Sequence, residues 1–119
     1  MIHVYLDDFR HCPEGFVLAK NAEECKLLID LEDIDILSLD FDLGWNEPTG
    51  YEVVQHLIQT ARFPRCIYLH TSSMYGRQQM YDALRQVLPA TYELYARPMN
   101  RDELEKLAKR KKAKEEHYE

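Results

Sequence analysis

Short apolar runs alternate along this chain with longer segments whose apolar residues recur at helical spacing, and that alternation limits the fold more than any other feature. IHVYL (2–6), IDILSLDFD (34–42), CIYLH (66–70) and YELYA (92–96) read as strands. Between the first two, Asn21 followed by Glu24 has the pattern of a capping box, and Ala22, Cys25, Leu28 and Ile29 behind it share one helical face. Tyr51, Val54, Leu57 and Ile58 mark a helix over 50–61. Met80, Ala83, Leu84 and Val87 mark another over 76–88, and Leu104, Leu107 and Ala108 a last one over 100–114. Strands alternating with helices predict an α/β sandwich of three layers, a mostly parallel central sheet with helices on both faces.

One link breaks the pattern. FVLA (16–19) is a further strand candidate, yet only the loop FRHCPEG (9–15), with Pro13 and Gly15, separates it from the first strand's acidic end. A parallel crossover normally takes a dozen residues or more. The first crossover helix is therefore expected to be missing, with FVLA a short edge piece whose direction, parallel or antiparallel, stays open. The length of 119 residues suits one domain. Residues 1–100 form its α/β body, and 101–119 its last helix with a basic tail.

In such sheets the carboxyl ends of the strands share one edge, and ligands bind there. The groups due at that edge are Asp7 and Asp8, Asp40 and Asp42, His70 to Ser72, and Arg97. Carboxylates gathered this closely repel one another, and a hard divalent cation with oxygen ligands relieves the conflict. Asp7, Asp8, Asp40 and Asp42 are thus the predicted metal ligands, with Mg²⁺ or Mn²⁺ as the cofactor. His70 beside them is expected to have a raised pKa and to serve, with Asp40, as a candidate catalytic group. Thr71 and Ser72 offer hydroxyls for a phosphate. Arg77, following Gly76 at the start of the next helix, can fork onto phosphate oxygens. Arg97 can do the same or pair with Asp40. Trp45, in the loop after Asp42, is suited either to stacking on a base or to capping the core.

The net charge of −6 is uneven, because Lys106 to Lys114 carries six positive charges and no negative one. An acidic body argues against broad nonspecific nucleic-acid binding. The three cysteines, Cys12, Cys25 and Cys66, match neither a disulfide framework nor a metal knuckle, and read as idle thiols in a reducing cytosol. Nothing reads as a signal peptide or a bilayer-crossing run, so the expectation is a cytoplasmic protein with no membrane partner.

These residues resemble the receiver domains of two-component signalling, which have a flavodoxin-like fold. The likeness lies in Asp7-Asp8 after the first strand, Asp40 after IDILSL, Thr71 after CIYLH, and a basic residue before Pro98. It implies Mg²⁺ on the acidic pair and a phosphoryl-accepting Asp40. Arg97, however, stands where receivers carry a lysine, and the loop from Asp40 to Gly50 is longer than theirs. A closer resemblance is to the cyclic-phosphate processing receiver domains, through LDDFR (6–10), LDFDLG (39–44), TGY (49–51) and a histidine-hydroxyl run leading to GRxxM (76–80). That family is proposed to handle nucleic acids ending in 2′,3′-cyclic phosphates. Phe41 replaces its usual histidine, and Ser72 to Tyr75 replace its asparagine-proline turn.

The resemblance implies a metal-binding acidic site that binds or processes phosphate esters, with an RNA end as the ligand. The alternatives are an atypical response-regulator receiver and a non-catalytic interaction module. An aspartate-based phosphatase built on Asp40 and Asp42 lacks its threonine, since Gly44 occupies that position.

Overall fold

The structure, a computed structural model, describes residues 1–117, so the last two residues of the expected basic tail lie outside the described residues. Five strands and four helices follow in the order β1 (Ile2–Leu6), β2 (Val17–Ala19), α1 (Ala22–Leu31), β3 (Ile34–Leu39), α2 (Gly50–Thr60), β4 (Cys66–Leu69), α3 (Met74–Arg85), β5 (Glu93–Tyr95) and α4 (Arg101–His117). The strands form one sheet in the order β2-β1-β3-β4-β5, and every neighbouring pair is parallel. This is the receiver-like, flavodoxin-like order. Residues 7–16 join β1 to β2 without a helix, as expected, and the FVLA segment runs parallel to β1 with Val4 opposite Val17.

Local chemistry sets the helix starts. The Asn21 side chain accepts from the Glu24 N–H at 2.9 Å, and Glu24 reaches back to the N–H of Lys20 at 3.0 Å, one residue earlier than in the usual capping box. Thr49 caps α2 by accepting from the Tyr51 N–H at 3.3 Å. Ser73 caps α3 by accepting from the Gly76 N–H at 3.0 Å, which starts that helix two residues before the predicted position; it runs to Arg85. Asn100 and Glu103 form a reciprocal capping box on α4, at 2.8 and 2.9 Å. Two glycines let helix starts close onto the exit of β3. A Cβ on Gly50 would collide with the Asp40 carbonyl oxygen, and one on Gly76 with the Phe41 ring.

The two faces of the sheet differ because side chains alternate along each strand. Val4 and Leu6, Leu37 and Leu39, Ile67 and Leu69 meet Ile29, Val54, Leu57, Met80 and Leu84 of α1, α2 and α3 in the main core. Burying each such side chain stabilises the fold by about 1.5–3 kcal/mol. The other phase holds Tyr5, Ile36, Ser38, Cys66 and Tyr68. There a smaller cluster forms from Ile36, Cys66 and Tyr68 with Phe16, Tyr95, Met99 and Leu107, under α4 alone. The register aligns Tyr5 with Ser38 and Ser38 with Tyr68, then Leu6 with Leu39 and Leu39 with Leu69. One step further, Asp7, Asp40 and His70 leave the sheet side by side on the α4 phase. Among the described residues no helix is long and apolar enough to cross a membrane.

Candidate functional site

Asp7, Asp40 and His70 are all buried, and each offers one ligand atom within 4.8 Å of the others. The backbone holds them in that row. The Asp40 N–H donates to the Leu6 carbonyl at 3.1 Å, and the His70 N–H donates to the Leu39 carbonyl at 3.0 Å. Asp7 also organises the loop that follows it. Its Oδ1 accepts from the N–H groups of Phe9 and Arg10, both at 2.9 Å. That turn brings the Arg10 guanidinium back over the site. Arg10 Nη1 donates to Asp7 Oδ2 at 2.8 Å and to Asp40 Oδ2 at 3.2 Å.

Asp7 is 1% exposed. Burial alone would raise its carboxyl, but the Arg10 N–H, the Arg10 guanidinium, the Phe9 N–H and the His70 ring together hold it down at about 2. The carboxylate is therefore the form present at neutral pH. His70 lies between two partners: Nε2 is 2.9 Å from Asp7 Oδ2, and Nδ1 is 2.7 Å from Ser38 Oγ. The Tyr5 ring stacks on it with centroids 4.3 Å apart and planes 2° from parallel. The expectation of a raised pKa is corrected here. Burial pushes the imidazole below 6.5, outweighing the pull of Asp7 and Asp40. With the ring neutral, the network assigns the Nε2 proton to the bond with Asp7 and leaves Nδ1 to accept from the Ser38 hydroxyl.

The other predicted residues spread around this centre. Asp8 is exposed and outside the group of converging ligand atoms. Asp42 is exposed too, its Oδ1 accepting from the Gly44 N–H at 3.1 Å. Thr71 is buried, and its Oγ1 accepts from the Ser73 N–H at 3.2 Å while its carbonyl accepts from Arg77 Nη1 at 3.3 Å. Ser72 is exposed beside them. Arg97 turns away from Asp40. It donates to Glu103 Oε1 at 2.8 Å and to the Pro98 carbonyl at 2.9 Å, and it lies 4.8 Å over the Tyr95 ring. The cation that pairs with Asp40 is Arg10. Trp45 is 93% exposed, so it does not cap the core.

Three contributors were not singled out from the sequence: Arg10, Ser38 and Tyr5. Ser38 had a signal, as the one hydroxyl inside the apolar run IDILSL. Arg10 had a weaker one, as part of LDDFR. The thiols match their idle reading. Burial pushes Cys25 up to about 12 and Cys66 to about 11, and all three cysteines are free.

No curated protein and no solved structure is significantly similar to this chain. A family model described as cyclic-phosphate processing receiver domain matches residues 2–86, which run from β1 to the end of α3 and include Asp7, Arg10, Asp40 and His70. The chain therefore belongs to the cyclic-phosphate processing receiver domain family.

Proposed function

We propose that this domain is a cytoplasmic protein that binds and processes phosphate esters, and that its substrates are RNA ends closed as 2′,3′-cyclic phosphates. One observation carries the reading: two carboxylates, an imidazole and a guanidinium converge at the carboxyl edge of the sheet in a member of this family. The donor set suits a hard divalent cation, Mg²⁺ or Mn²⁺. Asp7 and Asp40 would hold it, with Asp8 and Asp42 adding negative charge at the rim. Such an ion, when bound, supplies Lewis-acid activation of a phosphoryl oxygen.

The chain's own groups have distinct tasks in this reading. Asp40 and His70 are the catalytic candidates. His70 directs its Nε2 proton at Asp7 and so fixes that carboxylate's orientation. Arg77 and the hydroxyls of Thr71 and Ser72 bind phosphate oxygens at the start of α3. Arg97 joins them only by giving up Glu103, and so contributes least. Hydrolysis adds water across one phosphorus–oxygen bond of the cyclic ester. The hydroxyl oxygen stays on phosphorus, and the proton goes to the departing ribose oxygen.

An RNA oligonucleotide ending in a 2′,3′-cyclic phosphate, incubated with the protein and Mg²⁺ or Mn²⁺, is expected to gain one water in mass. Asp40→Asn should abolish this. Neither turnover nor binding with either metal would overturn the reading. A receiver switched by phosphorylation of Asp40 is less well supported, because Arg97, the basic residue before Pro98, is engaged by Glu103 and turned away from Asp40. Acetyl phosphate adding one phosphoryl group at Asp40 would reverse that order. A non-catalytic interaction module would show no metal binding at all.

A further inference from the structure

Arg10 occupies the position that the two carboxylates offer to a cation. Its Nη1 lies between Asp7 Oδ2 and Asp40 Oδ2, at 2.8 and 3.2 Å. A divalent ion such as Mg²⁺ needs its oxygen ligands at about 2.1 Å. The same pair of oxygens cannot hold both a guanidinium nitrogen and that ion. Arg10 is also built to leave. Its backbone is anchored by the N–H donated to Asp7 Oδ1, while its side chain is 41% exposed. Among the described residues, only Nη1 of the guanidinium makes hydrogen bonds, so Nε and Nη2 keep their donors. The side chain can therefore move on its own torsions without disturbing the loop.

We propose that Arg10 is the resident cation of this site, that it gives up Asp7 and Asp40 when a divalent metal takes them, and that its freed guanidinium then binds the phosphate of the ligand. This rests on the metal-dependent reading above. The charge balance favours the exchange. With Arg10 docked, two carboxylates face one guanidinium, and a phosphate meets one negative charge in excess. With a divalent cation on the carboxylates and Arg10 released, the same residues present one positive charge in excess. Arginine forks onto phosphate oxygens in two parallel hydrogen bonds, which the unused Nε and Nη2 donors allow. Binding is thereby ordered, metal first and phosphate second. Arg10 sets both the metal concentration required and the affinity for phosphate.

The test is a calorimetric titration of the full chain with Mg²⁺ and Mn²⁺, followed by a nucleoside 2′,3′-cyclic monophosphate at saturating metal. Arg10→Ala should bind metal roughly tenfold tighter, as removal of one charged hydrogen-bonded competitor implies, and should lose the metal-dependent binding of the cyclic nucleotide. Arg10→Lys keeps the charge without the fork, and should bind metal as wild type does yet bind the nucleotide weakly. Removing Arg10 leaves the buried Asp7 without its cation, so a measurement on the wild type guards against a misfolded variant. The ¹⁵N resonance of the Arg10 side chain should shift as metal is added and shift again with nucleotide. If the wild type binds metal while Arg10→Ala binds no tighter, or while the Arg10 resonance stays still, the exchange is overturned and the metal site stands. Metal binding by Arg10→Ala but not by wild type supports the exchange. If neither binds metal, the exchange and the metal-dependent function fall together.

Discussion

The two faces of one sheet do different work in this molecule. On the side of α1, α2 and α3, every inward position of β1, β3 and β4 is aliphatic, and the core is continuous. On the side of α4, the same strands present Tyr5, Ser38, Tyr68 and then Asp7, Asp40 and His70. Loss of the first crossover helix leaves that side with a single helix. A cavity of about 50 Å³ lies there, lined by Tyr5, Phe16, Ser38, His70 and Met99 among others. The difference teaches that the domain concentrates its packing on one face, which frees the other to bury a polar chain from Ser38 through His70 to Asp7. Buried polar groups are tolerated when each has a partner, and in that chain each one does.

Adjacent residues of β3 offer the most direct way to break this contrast. Leu37 points into the main core and Ile36 into the smaller cluster. Leu37→Ala is expected to cost roughly 3–5 kcal/mol and Ile36→Ala about 2 kcal/mol, read from urea unfolding. Equal losses would mean that the α4 face is packed as well as the other.

Gly76 tests how tightly the site's rim is held. Gly76→Ala drives a methyl group into Phe41 and is expected to cost about 1–3 kcal/mol. Adding Phe41→Ala should recover part of that loss, since the two side chains then no longer compete. A double variant no more stable than Gly76→Ala would show that the strain lies elsewhere.

Acid should act through the paired carboxylates, Asp7 with Glu103 and Asp35, and leave the aliphatic face untouched. The folded Asp7 carboxyl titrates at about 2 instead of 3.8, so its contribution of about 2 kcal/mol is present above pH 4 and is lost as pH falls through about 2. His70, lowered from 6.5 by burial, adds stability above pH 6.5 that declines as pH falls toward its folded value. Unfolding measured from pH 7 to pH 2 should therefore steepen in two windows. Asp7→Asn should shrink the lower window, which Glu103, held down to about 2 by the Arg97 guanidinium, shares, whereas Leu37→Ala should shift the whole curve without changing its shape. An unchanged lower window in Asp7→Asn would assign the acid sensitivity to other carboxylates.

Much of this site was legible in the sequence, for a definite reason. Strands that share register and a two-residue period deliver their next residues to one line, so Asp7, Asp40 and His70 follow from apolar runs that end together. Asp8 and Asp42 carry the same charge, but Asp8 falls on the opposite phase of the alternation and Asp42 lies beyond the bend at Phe41 where the strand has ended. Composition cannot separate them from the converging pair. Arg10 depends on the turn that the Asp7 side chain makes with two N–H groups, a local geometry that no periodicity encodes. The start of α3 was obscured because Met74 and Tyr75 are exposed and Gly76 reads as a breaker. In fact Gly76 is needed for close approach to Phe41. The direction of β2 was open because three residues carry no signal of strand polarity.

The shortness of that strand has a further consequence. Both margins of the sheet, β2 and β5, are three residues long. Unpaired margins are templates for pairing with other chains, and very short edge strands and flanking charges blunt them. Here Lys20 follows directly after β2, and the Arg97–Glu103 pair lies just past β5. An all-parallel sheet with so little free edge gives a second copy few hydrogen bonds to extend. The molecule can therefore be concentrated with little tendency to form cross-β aggregates.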